Sequence, residues 1–566
     1  MGIEETIRKH ALKNAFDYGK AQAGGVVGKV IAEHPEAKGN MKEVMAKISQ
    51  IVGEVNSLAR EQIEKELEKF EFVKKEEKEK VLELPNAQKG KVITRFPPEP
   101  SGYPHIGHAK ALFLDVEAAR VYEGKFYLRW DDTNPEKEKK EFVGAIKEGM
   151  KWLGIKWDKE EYASDYMPKL YYYAEELIKK EGAYICKCPQ EEMKKNRASG
   201  EECACRARDV DENLSEWEKM KESTKPGDAI LRFKGDMKAL NTVMRDPTLF
   251  RVLEAEHYRQ GKKYRVWPVY DFQGPILDSI TGITHIMRSK EYELRDEFNI
   301  ALLRVIGLRV PEIVEFSRLS IKNAPISKRH LRPLIEEKKV ESWSDPRLPT
   351  LDGLKRRGIL PEAIKKFVLQ FGLSKTESEP SWEALLNENS KILEPISERY
   401  FFVANPVELS VKGAGKGKAK LKKHPSKEMG ERIVAYADSF YISGKDAEAI
   451  KEGETFRLKE LFNVKLAKKG EKLEAEFAGK EIVEGKKIQW VSALKEEKVE
   501  CEVLVPRDLL KENGEYNEDS LRIEKGLCEK GCAKLKVGSI IQFERYGFCR
   551  LDEKKKEKLV FVLSCD

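Results

Sequence analysis

Apolar and polar positions change their spacing along this chain, and each change predicts a different kind of element. Residues 1–88 are charged and helix-favouring, and within residues 55–70 the apolar positions recur at helical spacing, which predicts a continuous helix there. From Lys91 short β-favouring runs alternate with helical ones. Residues 91–95 read as a strand, Pro97, Pro98, Pro100 and Pro104 forbid helix after it, and helical periodicity resumes over residues 109–121. Residues 124–132 read as the next strand and 139–153 as the next helix. Such alternation predicts a parallel sheet covered by helices, with ligands bound at the carboxyl ends of its strands. Asp131 and Asp132 fall at one such end.

Residues 166–267 interrupt the alternation with a cysteine-bearing stretch and with strand-like runs at 229–233 and 263–267. The sheet pattern resumes with two predicted strands, 269–272 and 282–287. Residues 320–395 read as helices, and beyond Pro395 short strands separated by turn residues such as Gly413, Gly479 and Gly531 predict one or two β-barrels. The expected organisation is a multidomain α/β chain. Residues 1–88 form an N-terminal helical domain, and 89–165 with 268–319 form the halves of a Rossmann-like domain. Residues 166–267 are inserted between those halves, 320–395 form a helical connector, and 396–566 form the β-barrels.

Composition narrows the class. Lys+Arg 105 against Asp+Glu 98 leaves a net charge of +7, which permits nucleic-acid binding without demanding it. A charged fraction of 36% fits dense surface ion pairing, and with it a hot habitat. The first turn is charged and nowhere do 18 apolar residues run together, so a cytoplasmic protein without a membrane partner is expected. Nine cysteines, four of them in two tight pairs, suit a metal site in a reducing compartment better than a disulfide framework.

The most specific stretch runs from the first predicted strand into the first predicted helix: Arg95-Phe-Pro-Pro-Glu-Pro-Ser-Gly-Tyr-Pro-His-Ile-Gly-His-Ala-Lys-Ala111. At a helix start, unpaired backbone N–H groups and the positive dipole end favour phosphate. His105 and His108, spaced i and i+3, are expected on one face, and Gly107 between them leaves room for a flat ring to approach the backbone. Of only 8 histidines in the chain, two occupy this turn, which reads as a nucleotide triphosphate cradle.

The same run resembles the HIGH signature of class I aminoacyl-tRNA synthetases, in the long form Arg-Phe-Pro-Pro-Glu-Pro-x-Gly-Tyr-x-His-Ile-Gly-His-Ala-Lys of the glutamyl/glutaminyl branch. The resemblance implies a Rossmann-like catalytic domain that uses ATP with Mg2+, and an amino-acid carboxylate that attacks the α-phosphate. His105 and His108 would be catalytic groups at the phosphates. Glu99, Pro100, Ser101, Ile106, Gly107, Ala109, Lys110 and Ala111 would surround the nucleotide, with Arg318 and Leu319 at its adenine and ribose. Ala324-Pro-Ile-Ser-Lys-Arg-His330 resembles the mobile KMSKS loop in its Met-Ser-Lys-Arg form, with Ile326 replacing the methionine. Pro325 stands where the general signature has its first lysine, so roles carry over only to Ser327, Lys328 and Arg329, with Lys328 as the catalytic charge on the departing pyrophosphate.

The resemblance also assigns an amino-acid pocket. Leu128-Arg-Trp-Asp-Asp-Thr-Asn-Pro-Glu-Lys137 resembles the segment whose acid, here Asp131, pairs with the substrate ammonium. Tyr270 would be a pocket wall and hydrogen-bond partner, and Arg95 would meet the substrate side chain. Within Gly282-Ile-Thr-His-Ile-Met-Arg-Ser-Lys-Glu291, glutamyl enzymes carry an arginine where glutaminyl enzymes usually have a small neutral residue, and this chain has Arg288. A planar guanidinium grips a carboxylate bidentately, which implies L-glutamate as the substrate.

Cys186-Lys-Cys188 and Cys203-Ala-Cys205 are separated by 14 residues, so four thiolates can close a tetrahedral zinc site, with reduced buried thiols as the alternative. Glutamyl enzymes of other lineages carry a cysteine zinc site in the same acceptor-binding insertion, which implies structural Zn2+. Cys528 and Cys532 read as structural. In the connector, Lys355, Arg356 and Arg357 either meet phosphate or form a solvated face. The β-rich end resembles the two barrels that read the anticodon in glutaminyl and in archaeal or eukaryotic glutamyl enzymes. Together these features resemble the archaeal-type glutamyl enzymes: monomers expected to activate glutamate only with tRNA bound, and to charge tRNA-Glu and, as archaeal relatives commonly do, tRNA-Gln. Residues 1–88 remain open between a solvated bundle and a tRNA-contacting accessory domain.

Overall fold

The computed structural model describes residues 2–18, 20–58, 60–67, 69–70, 82–326, 328–482 and 485–566. It divides into two compact units, residues 1–79 and 80–566. In the first, α1 (Ile3–Tyr18), α2 (Ala23–Glu33), α3 (Met41–Asn56) and α4 (Arg60–Leu67) bury Ile7, Leu12, Val26, Val30, Ile48 and Val55 in a core of their own. The helix predicted across residues 55–70 breaks after Asn56. The Asn56 amide is bonded to both backbone groups of Ala21 (2.7 and 3.0 Å), and the Ser57 hydroxyl turns back to the Glu54 carbonyl at 2.6 Å. Side chain to backbone bonds of this kind end helices.

The second unit opens with β1 (Ile93–Phe96), α5 (Ile106–Val121), β2 (Lys125–Trp130), α6 (Lys140–Trp152) and β3 (Lys159–Tyr162). β1, β2 and β3 pair in parallel, Ile93 opposite Lys125 and Tyr127 opposite Lys159. The inserted segment contributes α7 (Met167–Lys179), β4 (Ala183–Cys186), α8 (Gln190–Ser199), α9 (Val210–Glu222), β5 (Ile230–Phe233), β6 (Thr248–Val252) and β7 (Val266–Pro268). Its four strands form one antiparallel sheet in the order β4, β5, β6, β7.

The chain then returns through α10 (Tyr270–Ile280), β8 (His285–Ser289), α11 (Asp296–Ile306) and β9 (Glu312–Phe316), with β8 and β9 parallel. The strand predicted at residues 269–272 is the start of α10. Val269 is extended and caps the helix, and its carbonyl accepts from both Phe272 and Gln273 (3.0 and 3.1 Å). A run of four residues carries too little periodicity to separate strand from helix. The Thr284 N–H reaches the Ile93 carbonyl at 2.9 Å, so β8 lies beside β1. The chain winds outward from β1 to β3 on one side and from β8 to β9 on the other, and the crevice between β1 and β8 is where such sheets bind ligands.

Helices α12 (Lys328–Glu336), α13 (Leu351–Arg357), α14 (Pro361–Leu369) and α15 (Trp382–Leu393) form the connector. Beyond it lie two seven-stranded sheets, one built on Leu409, Phe440, Phe456 and Trp490, the other on Val503, Phe543 and Phe561. Cys528 and Cys532 are buried in the second core, with free thiols. A loop from this second sheet returns to the catalytic unit: the Leu510 N–H donates to the Asn323 carbonyl and the Asn323 amide to Asp508 Oδ2, both at 3.1 Å.

Candidate active site

A cavity of about 1050 Å3 opens at the carboxyl ends of β1, β2, β8 and β9. His105 is extended and caps α5, so the first helical residue is Ile106. The Gly107 N–H donates to His105 Nδ1 at 3.1 Å and the His105 N–H to His108 Nδ1 at 3.2 Å. With both Nδ1 atoms accepting, the neutral rings carry their protons on Nε2, leaving two N–H donors for a ligand. Burial pushes both rings down, helped by Arg318: His105 falls well below the usual imidazole value and His108 to about 4. The ring centroids are 3.8 Å apart.

Gly107 is fixed by this packing. A Cβ there would stand 3.0 Å from His105 Cε1 and 3.3 Å from the Leu319 carbonyl, so the flat ring that approaches the backbone is that of His105. We expect Gly107→Ala to raise KM for ATP about tenfold with little change in Tm, because relieving the overpacking turns His105 away from the pocket. Steady-state kinetics with a parallel melt checks it, and an unchanged KM would contradict it.

Lys110 is buried, and its Nζ donates to the Ser317 carbonyl (2.6 Å) and hydroxyl (3.1 Å), tying α5 to the stretch that presents Arg318 and Leu319. Burial pushes its ammonium down to about 8. Glu99, Ser101, Gly107, Lys110, Ala111, Arg318 and Leu319 all line the cavity with the two histidines. Pro100, Ile106 and Ala109 are buried away from it, and Arg329 is exposed outside it. Ile106 and Ala109 lie on the face of α5 that packs into the hydrophobic core. Ser327 and the Lys328 side chain lie outside the described residues, although Ile326 beside them reaches the cavity wall.

Carboxyl groups line the same cavity. Asp131 follows β2, its N–H donates to the Pro98 carbonyl at 3.1 Å, and its carboxylate accepts from the Gln273 amide. Burial, reinforced by Glu138 and Glu99, holds the Asp131 carboxyl well above the usual range. Glu138 is pushed up to about 9, chiefly by burial, and its Oε2 is buried without a hydrogen-bond partner. Asp131 and Glu138 are thus two buried carboxyl groups raised by burial and by neighbouring carboxylates, with Arg129 and Arg251 only partly opposing the effect.

Arginines line the cavity too. Arg95 lines the cavity, yet its guanidinium is bound to Asp278 through Nε (2.9 Å) and Nη2 (3.0 Å). Asp278 also takes Arg129, which makes Arg95 part of a buried ion network as well as of the wall. Arg288, one residue before the end of β8, lines the cavity, anchored from behind by Asp296 and by the Asn299 amide, whose oxygen, once oriented to suit its neighbours, accepts from Nη1 at 2.8 Å. Its Nε is buried with no hydrogen-bond partner among the described residues. Tyr270 stands at the start of α10 with its ring 5.2 Å from that of Tyr292. Arg295, paired with Asp271, completes this corner. Sequence reasoning missed Glu138, Tyr292 and Arg295. Glu138 sits one residue beyond the motif that carries Asp131, while nothing in the local sequence marks the other two.

Cys186, Cys188, Cys203 and Cys205 converge on the far side of the insertion, their sulfurs all within 4.8 Å of one another. Cys186 ends β4 and Cys203 precedes a short helical turn. Burial, with Cys186 and Cys203 beside it, pushes the Cys188 thiol far up, a cost that a bound cation would remove.

Comparison with known proteins matches this architecture throughout. The family described as tRNA synthetases class I (E and Q), catalytic domain, matches residues 91–395, and two anti-codon binding domains of the same family match residues 397–478 and 487–552. The chain belongs to this family. Among curated relatives it is 46% identical over 565 residues to the glutamate–tRNA ligase of Nitrosopumilus maritimus (strain SCM1), covering 98% of each chain. It is 42% identical to the ligase of the same name from Cenarchaeum symbiosum (strain A), over 97% of each chain. That from Pyrococcus furiosus is 40% identical over 99% of each. In this class I synthetase the cavity at the strand ends lies within the catalytic-domain match, and the two terminal sheets coincide with the anticodon-binding matches. Among the described residues no helix is long and apolar enough to cross a membrane.

Proposed function

We propose that this synthetase joins L-glutamate to tRNA in two steps through a bound glutamyl-adenylate. The observation that carries the reading is one cavity lined at once by the neutral imidazole donors of His105 and His108, by Asp131 and by Arg288. ATP, accompanied by Mg2+, lies with its phosphates on the Nε2–H donors of His105 and His108 and its adenine and ribose beside Arg318 and Leu319. Glutamate places its ammonium at Asp131 and its side-chain carboxylate at Arg288, with Tyr270 closing the pocket. Its α-carboxylate attacks the α-phosphate, and pyrophosphate leaves toward the Ser327, Lys328 and Arg329 loop. No protein nucleophile is needed, because positioning and charge neutralisation supply the acceleration.

Glutamate is favoured over glutamine by the chemistry of Arg288, since a neutral amide cannot form the bidentate, charge-assisted pair that a carboxylate makes with the guanidinium. The tRNA partner is tRNA-Glu, with tRNA-Gln as a second substrate, and the protein acts as a cytoplasmic monomer. Charging assays with the two purified tRNAs test this. Glutamylation of both is expected, and glutamylation of tRNA-Glu alone would remove the second substrate.

The four cysteines fit a structural Zn2+ by their donor set and mutual distances, and would hold it as thiolates at a tetrahedral centre. We expect one zinc per chain in reduced, untagged protein, and expect Cys203→Ser to lose the metal and lower Tm by several degrees. Metal analysis that finds no stoichiometric zinc would refute this.

A further inference from the structure

The three neighbouring cations Lys355, Arg356 and Arg357 end α13 in three different environments. Lys355 is exposed, and Arg356 is taken up by Glu341 (2.7 Å) and Asp552 (2.9 Å). Arg357 is only 5% exposed, and among the described residues no hydrogen bond or ion pair reaches its guanidinium. It lies over the ring of Trp382, 4.6 Å from the centroid. The indole Nε1–H of Trp382, itself 5% exposed, is also buried without a partner.

Both residues line a cavity of about 320 Å3 between α13, α15 and the loop that returns from the second terminal sheet, which adds Arg507, Asp508 and Asn517. The Nε of Arg357 and the Nε1 of Trp382 are closed off from the cavity, whereas the Nη groups of Arg357 open on it; they only donate and meet no protein acceptor among the described residues, so a partner for them is an acceptor. A guanidinium held in a largely buried side chain binds an acceptor best when that acceptor carries negative charge. Burial alone pushes Arg357 down to about 10, with Cys565, Asp508 and Asp566 the acidic groups that partly oppose it. Asp508 accepts from the Asn323 amide and its carbonyl from the Asn517 amide at 2.9 Å, and among the described residues no hydrogen bond joins either residue to Arg357.

We propose that this cavity binds a phosphate-class oxyanion, held by the Nη groups of Arg357 with Arg507 at the rim. Two sources carry that chemistry, a backbone phosphate of bound tRNA and free inorganic phosphate, and only the first rests on the function proposed above. The loop forming the cavity wall also grips Asn323, just ahead of the Ser327–Lys328 segment, so an anion there would brace the link between the terminal sheets and the catalytic loop.

The test melts the full-length protein with inorganic phosphate replacing chloride at equal ionic strength, for wild type and Arg357→Met. Phosphate is expected to raise Tm by roughly 2 °C more in wild type than in the variant. Both proteins keep the ATP pocket, so its own affinity for phosphate cancels. Without phosphate the variant should melt within a degree or two of wild type, since Met keeps the packing on Trp382 and only the cation–π contact is lost; a markedly lower Tm would make Arg357 an internal prop and overturn the proposal. Should Arg357→Met fail to fold, Arg507→Gln at the exposed rim replaces it and should lose part of the phosphate increment. In a second arm, tRNA binding is titrated with salt. If the site takes a backbone phosphate, Arg357→Met lowers the slope of log affinity against log salt by about one. If it takes only the free anion, the slope stays and the phosphate increment alone is lost. Retention of both the increment and the slope would refute the site. A wild type that binds no tRNA would instead refute the proposed function, while the melting arm would still decide the site.

Discussion

Arg288→Cys is expected to lower kcat/KM for glutamate by roughly a hundred- to a thousandfold, the counterpart of about 3–4 kcal/mol for leaving a buried carboxylate without its cation. KM for ATP should change little. The guanidinium lies near the end of β8 in the cavity, braced by Asp296 and Asn299, and those braces hold it still, as an arginine that reads a planar carboxylate requires. Asp296 is partly exposed, so solvent can meet its charge once the arginine is gone and the fold should survive. The informative comparison is with glutamine, whose weak activation should fall much less or even rise. Tyr270 and Arg295 flank the same corner, and loss of either should act more weakly, since neither replaces the missing charge. Pyrophosphate exchange measured for both amino acids, with tRNA present, reads the effect. Glutamate activation unchanged in the variant would mean that Arg288 belongs to the packing of β8 and α11 and not to substrate choice.

Asp131→Asn is expected to cost about a hundredfold in kcat/KM for glutamate, again with ATP binding spared, because an amide cannot neutralise the substrate ammonium in a buried site. The pH dependence separates this role from a structural one. Burial and the neighbouring Glu138 and Glu99 hold the Asp131 carboxyl well above its ordinary value in the substrate-free protein. Below that raised value the group is neutral and offers the ammonium nothing. Wild-type kcat/KM should therefore climb as the pH rises through a range where ordinary carboxylates are already ionised, and the limb should be lost in Asp131→Asn. Stability moves the other way. Glu138, raised from 4.5 to about 9, stabilises the fold most below its unfolded value, and that contribution fades as the pH rises toward 9. The substrate-free protein should melt lower at pH 9 than at pH 6, and a non-hydrolysable glutamyl-adenylate analogue, bringing its ammonium, should narrow the gap. A flat kcat/KM profile from pH 5 to 9 would contradict the assignment.

Much of this site can be read from the sequence, and what cannot has physical causes. The strand–turn–helix around His105 is legible because prolines and a helical period bound it closely, although His105 proves to be the cap and not a residue of the helix face. Asp131, just past β2, and Arg288, one residue before the end of β8, are legible only through the family motifs around them, since strand position alone does not mark a pocket residue. Residues 269–272 were not, because four residues starting after a proline hold too little periodicity to show that a helix begins there. The engagement of Arg95 by Asp278 spans 183 positions, and no local pattern announces a partner so distant. The same holds for Arg357, one of three adjacent cations identical to any reading of composition, which only the packing of the connector against the terminal sheet makes buried and unpaired.

The most direct measurement of the central claim is tRNA-dependent pyrophosphate exchange with glutamate and glutamine offered separately to the same purified protein. Exchange driven by glutamate, with glutamine weaker by at least two orders of magnitude, is the predicted result. Exchange driven by glutamine, or by neither amino acid with both tRNAs present, would contradict it.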